Sequence, residues 1–219
     1  MSPPQNPSSD FNSRLSPDEI IVLQELMNIA FGTAGAELEE ILDINVELHI
    51  PDVQLVPAPD LSTYLHNMTD MGARTCIVEQ QFWGDFKGTG YMMLPRESGE
   101  ILLSVFGGYE DEYFPETADE LLEQGAILEV GNILTGACIG KVAELLDTAV
   151  TYTPPQIRQE DYLSEDLWRT VEDNATAIIL KTRFNFQNAG LSGYVFIVTR
   201  EDAISWLKTA LVKYLKYIE

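Results

Sequence analysis

"LEVGNILTGA" occupies residues 128–137, and "LQELMNIAFGTA" occupies residues 23–34. Each holds Glu-x-x-Asn with a glycine four positions after the asparagine: Glu25, Asn28 and Gly32 in the first, Glu129, Asn132 and Gly136 in the second. The pair belongs to a longer repeat. Shifting residues 19–53 by 104 positions gives ten identities in thirty-five, among them Glu40/Glu144, Asp43/Asp147 and Pro51/Pro155, where ordinary composition gives roughly two. "GTGYMML" (88–94) also aligns with "LSGYVFI" (191–197) at a shift of 103. A period this long is not that of a solenoid. The pattern predicts an α+β fold, internally duplicated with pseudo-twofold symmetry. Two helix–strand–hairpin–helix units would share a largely antiparallel sheet, with the helices packed on it.

The elements follow outward from the repeat. Ser16-Pro17-Asp18-Glu19 opens a helix, because serine caps, proline suits the first turn and acids favour the positive end of the dipole. Apolar residues then recur at helical spacing through Ile20, Leu23, Met27, Ala30 and Ala34, with Gly32 and Gly35 placed to bend the helix or admit a close neighbour. Residues 44–50, "INVELHI", alternate and end at Pro51, as a strand does. A hairpin around residues 84–90 and a short helix complete the first unit. The second repeats this order with a long helix, a strand ended by Pro154 and Pro155, a strand pair, and an amphipathic C-terminal helix. That last helix places Ile204, Leu207, Leu211, Tyr214, Leu215 and Ile218 on one side. Residues 1–14, rich in Pro, Ser and Asn, read as a disordered tail. One domain is expected over 15–219, made of pseudo-repeats at about 15–110 and 117–219.

Thirteen basic residues stand against 35 acidic ones in 219, a net charge of −22. Such a surface repels nucleic acid and anionic membrane, so neither is an expected partner. The two cysteines, Cys76 and Cys138, and two histidines form no metal-site spacing. Cys138 falls in an apolar helical pattern and reads as core. Without a signal-peptide pattern or a run of eighteen apolar residues, the expected location is cytoplasmic, with no membrane insertion.

Residues three apart share a helix face, so Glu25 projects beside Asn28 and Glu129 beside Asn132. Each couple offers an anionic acceptor next to an amide that both donates and accepts. In each, twenty-two residues separate the asparagine from a proline, Pro51 or Pro155. Small residues beside the second pair suggest that another surface approaches closely there.

The doubled Glu-x-x-Asn-x22-Pro pattern, in a duplicated α/β chain of this size, resembles the CheC-type chemotaxis phosphatases, a family that includes CheX and FliY. The resemblance covers nearly everything from residue 15 to 219. It implies a phosphatase acting on the aspartyl phosphate of a CheY-like response regulator. Asn28 and Asn132 would each orient the attacking water, while Glu25 and Glu129 would contact the regulator's active-site lysine. It implies no cofactor of the chain's own, Mg2+ residing in the regulator, and a CheD-like deamidase as a further partner. The family pattern places Asp or Ser four residues before the Glu, where this chain has Ile21 and Gly125. It also has a small residue before the Asn, which Gly131 satisfies and Met27 does not. The bulk of Met27 is therefore expected to hinder docking at the first site. The alternative reading is a non-catalytic adaptor on the same fold, binding a regulator, a CheD-type deamidase or a flagellar switch.

Overall fold

The computed structural model describes residues 15–43, 45–49, 52–57, 60, 63, 64, 67, 75–105, 116–158, 176–186, 190–199 and 203–218. The expected tail at 1–14 lies outside them. Helix α1 (Pro17–Leu42) starts as its sequence dictates. Ser16 Oγ accepts from Glu19 N at 3.2 Å, and Ser16 N donates back to Glu19 Oε2 at 2.7 Å, a reciprocal capping box that satisfies two otherwise orphaned donors. Ser16→Ala is expected to cost about 1 kcal/mol, read as a lowered melting temperature with function unchanged.

The strands are β1 (Val46–Leu48), β2 (Asp52–Pro57), β3 (Thr75–Gly84), β4 (Gly88–Pro95), β5 (Val150–Tyr152), β6 (Gln156–Arg158), β7 (Thr176–Phe186) and β8 (Leu191–Thr199). Between them come α2 (Ser98–Val105) and α3 (Glu116–Leu145), and α4 (Ile204–Ile218) follows. The strands form one antiparallel sheet of order β1-β7-β8-β4-β3-β5, with β2 also on β7 and β6 also on β3. The two halves mirror each other. β1 and β2 pair in succession along β7, and β5 and β6 along β3. In the central β4–β8 pair, Met92 stands opposite Val195, Tyr91 opposite Phe196 and Met93 opposite Tyr194. Met92 and Val195 are themselves equivalent at the shift of 103, so the pseudo-twofold axis passes through that pair.

Two edge strands depart from the sequence reading. Pro51, Pro154 and Pro155 were expected to end their strands. β1 and β5 do end before them, but the chain then resumes as new strands, β2 and β6, against the same neighbour. A proline removes one backbone donor. That loss is tolerated on an edge strand, which proline can interrupt without ending its run.

Alternate residues of the sheet face the helices. Val78, Phe82, Met92, Leu94, Ile178, Leu180, Phe184, Phe186, Val195 and Ile197 meet α1, α3 and α4 in one core, while Ile77, Tyr91, Met93, Ala177, Ile179, Phe196 and Val198 form a second cluster on the other face. In α1 the inward positions are 23, 26, 27, 30, 31, 34, 35 and 38. In α3 the same eight recur, moved by 104, at 127, 130, 131, 134, 135, 138, 139 and 142, and Ala126 and Ala143 are buried beside them. Each helix ends in a left-handed aspartate, Asp43 with φ 52° and Asp147 with φ 53°. Aspartate tolerates that conformation better than most residues, which accounts for this identity in the repeat. Lys141 joins the two helices through Glu37 at 2.6 Å. The α4 helix packs through Leu207, Ala210 and Leu211, and Trp206 stacks on Phe86, whereas Leu215, expected on the buried side, is exposed.

By length and composition, Glu120–Leu145 is apolar enough to cross a membrane. Its apolar residues Val130, Leu134, Cys138, Ile139 and Val142 are fully buried in the protein, so interior packing accounts for its hydropathy. Cys138 is core as expected, and burial pushes its thiol pKa up to about 12.

Candidate active site

Both Glu-x-x-Asn couples lie on the outward faces of their helices. Glu25, Asn28, Glu129 and Asn132 are exposed, while the residues between them, Leu26, Met27, Val130 and Gly131, are buried. The helical period produces this sorting: positions one and four point outward together, and positions two and three turn to the sheet. Around each couple runs one outward stripe, Ile21-Glu25-Asn28-Gly32 on α1 and Gly125-Glu129-Asn132-Gly136 on α3, all exposed but for the half-buried Gly136. A Cβ added at Gly32, Gly125 or Gly136 would meet no neighbouring atom within 4 Å. The fold's own packing therefore does not require glycine at these three positions. At the head of the first stripe Ile21 is 64% exposed, an apolar knob that Gly125 lacks.

Met27 does not stand in the way of docking. Its side chain is fully buried, so the expected hindrance at the first site is corrected: this bulk fills the interior. Gly131 occupies the equivalent inward position, and a Cβ there would lie 2.8 Å from Val78 Cγ1 and 3.2 Å from Met92 Cε. One turn on, Thr135 Cγ2 would lie 2.3 Å from a Cβ at Gly90. The small residue before Asn132 thus lets α3 press onto β3 and β4 of its own domain, where the sequence suggested the approach of another surface. The first helix distributes bulk in reverse. Met27 and Phe31 are large, and a Cβ at Gly35, farther along, would make only ordinary contacts, 3.5 Å from Val46 O and 3.8 Å from Leu48 Cδ1. The close seating on the sheet is thus a feature of α3 beside its Glu-x-x-Asn couple, at Gly131.

One side chain below the second couple was not singled out by sequence. Gln80, on β3, is 2% exposed and faces the helices between Val78 and Phe82. Its Nε2 donates to Asn132 Oδ1 at 2.8 Å and to the Thr153 carbonyl at 3.0 Å. The available signal was a polar residue at an inward position of an alternating strand. Beyond it, on the other face of β3, Arg158 holds Glu79 through two bonds of 2.9 and 3.2 Å. Glu25, Asn28 and Glu129 make no side-chain hydrogen bond among the described residues.

No family profile matches the chain. The CheY-P phosphatase CheC of Bacillus subtilis is 21% identical over 208 residues, covering 93% of this chain and 98% of that protein. The flagellar motor switch phosphatase FliY of the same organism is 20% identical over 184 residues, 84% of this chain and 46% of FliY. The crystal structure of Thermotoga maritima FliY superimposes with a TM-score of 0.64 at 18% identity, covering 91% of this chain and 98% of that one. The chain is thus similar to CheC and FliY in sequence, and it shares the fold of FliY. Its alignment to CheC is close to end to end, whereas it spans about half the length of Bacillus FliY.

Proposed function

We propose that this CheC-like chain hydrolyses the aspartyl phosphate of a CheY-type response regulator, with Asn28 and Asn132 orienting water and Glu25 and Glu129 contacting the regulator. The observation that carries this reading is the outward display of both couples on helix faces whose neighbouring residues are core. The near-complete alignment with CheC supports it.

An acyl phosphate is already activated. Water attacks phosphorus, the new O–P bond forms as the bond to the aspartyl oxygen breaks, the carboxylate leaves, and the water's protons pass to the phosphate and solvent. The chain needs only to hold that water in line, about 3 Å from phosphorus. A carboxamide does so without titrating. The carboxylate one turn earlier on the same face suits a cation such as the regulator's lysine. Mg2+ is assigned to the regulator, a CheD-like deamidase remains a proposed further partner, and a cytoplasmic location accords with such partners.

The test is phosphate release from a phosphorylated CheY-type regulator by the wild type and by Asn28→Ala, Asn132→Ala and the double variant. Equal decay in all four would assign the chain to the adaptor role. The open glycines give a second expectation. In a helix, Gly→Ala is favourable by about 1 kcal/mol, so Gly32→Ala and Gly136→Ala should each raise the melting temperature. If a regulator docks on these stripes, the added methyl should raise KM while leaving kcat nearly unchanged. An unchanged KM would separate the glycines from docking.

A further inference from the structure

We infer that Gln80 is a positioning residue that fixes the Asn132 carboxamide in one orientation, making the second couple the dominant site of the activity proposed above, on which this ranking rests. The assignment follows from donors and acceptors. The Thr153 carbonyl only accepts, so the Gln80 atom 3.0 Å from it is the amide nitrogen. The second hydrogen of that nitrogen also needs an acceptor. Asn132 must therefore turn Oδ1 toward Gln80, at 2.8 Å. Turning Gln80 over would set two carbonyl oxygens against each other at Thr153. Gln80 Oε1 is itself buried without a partner, so no competing bond draws the side chain away. Asn132 is left with both Nδ2 hydrogens free to hold a water through its oxygen, leaving the other lone pair for phosphorus.

The first couple lacks this device. β5 and β1 pair with β3 and β7 in the same register: Tyr152 faces Phe82, and Leu48 faces Phe184. Thr153 N donates to Gln81 O, and His49 N to Arg183 O, each at 2.9 Å. The counterpart of Gln80 is therefore Thr182. Its hydroxyl donates to the His49 carbonyl at 2.6 Å, reproducing the Gln80–Thr153 bond, but it is too short to extend farther. Asn28 receives no bond among the described residues. The tight seat of Gly131 against Val78 brings Asn132 within reach of the strand, while the equivalent inward position beside Asn28 holds the larger, fully buried Met27.

The test has two readouts on the full chain. Side-chain 15N relaxation in the free protein should give the Asn132 amide a higher order parameter than Asn28, near the ~0.8 of rigid groups against below ~0.6 for mobile ones. Gln80→Thr, which copies the first site, should bring Asn132 down to the Asn28 level. Equal mobility of the two amides in the unaltered protein would overturn the inference, whatever the enzymology. In an Asn28→Ala background, Gln80→Thr should lower kcat about tenfold to a hundredfold, the cost of a group misplaced by about 1 Å, with KM within twofold. Adding it to Asn132→Ala should cost nothing further. An unchanged kcat would also overturn the inference. If Asn28→Ala and Asn132→Ala leave dephosphorylation untouched, the phosphatase reading falls, and relaxation still decides whether Gln80 holds Asn132.

Discussion

Replacing Asn28 and Asn132 together by alanine is expected to slow phosphate release from a phosphorylated regulator by about two to four powers of ten, the range a fixed water or positioned group contributes. The single variants divide that loss unequally. Two equivalent sites would each carry half the rate, so each single change would cost about twofold. With Asn132 held by Gln80 at 2.8 Å and Asn28 unheld, Asn132→Ala should remove most of the rate and Asn28→Ala less than half. Stability should separate them as well. Asn28 is exposed and bonds to nothing among the described residues, so its removal should stay within about 0.5 kcal/mol. Asn132→Ala leaves one hydrogen of the buried Gln80 amide without its acceptor, a loss of about 1 kcal/mol. Calorimetry alongside the kinetics checks both, and a rate loss that merely followed unfolding would show as a large fall in melting temperature.

The unequal sites show where sequence reading reaches and where it stops. The couples, their spacing and their outward display were legible, because a 3.6-residue period fixes which side chains share a face. The duplication was legible because Asp43 and Asp147 recur for a backbone reason, the left-handed turn that closes each helix. β2 and β6 were not, because Pro51 and Pro154–Pro155 signal a strand end locally, and only the pairing along β7 and β3 shows that the edge continues. Nor was the role of the residue before each asparagine. A small residue there looks like room for a partner until the register places it inward, where Gly131 meets Val78. Gln80 stood in plain view as a polar residue at an inward position, but its meaning required knowing that the helix crossing above it was α3, at the level of Asn132.

Gly131→Met should be among the most disruptive single changes near either couple, although it only copies the residue at the equivalent position of α1. A bare Cβ at 131 would already lie 2.8 Å from Val78 Cγ1 and 3.1 Å from Val78 Cβ. Valine is stiff about χ1, so it cannot swing clear, and Met92 closes the other side at 3.2 Å. The helix must lift or the core must rearrange, an overpacking cost of about 3 kcal/mol, partly offset by about 1 kcal/mol of helix propensity gained over glycine. A net loss of about 2 kcal/mol corresponds to a melting temperature lowered by about 4–8 °C in a chain of this size. Lifting α3 also draws Asn132 away from Gln80. Gly131→Met should therefore share the kinetic signature of Gln80→Thr, a reduced kcat at nearly constant KM. Gly136→Ala, one turn along the same helix but facing open space, should stabilise instead. If Gly131→Met proved as stable as the wild type and kept its kcat, the close seating of α3 would not be what sets the second site above the first.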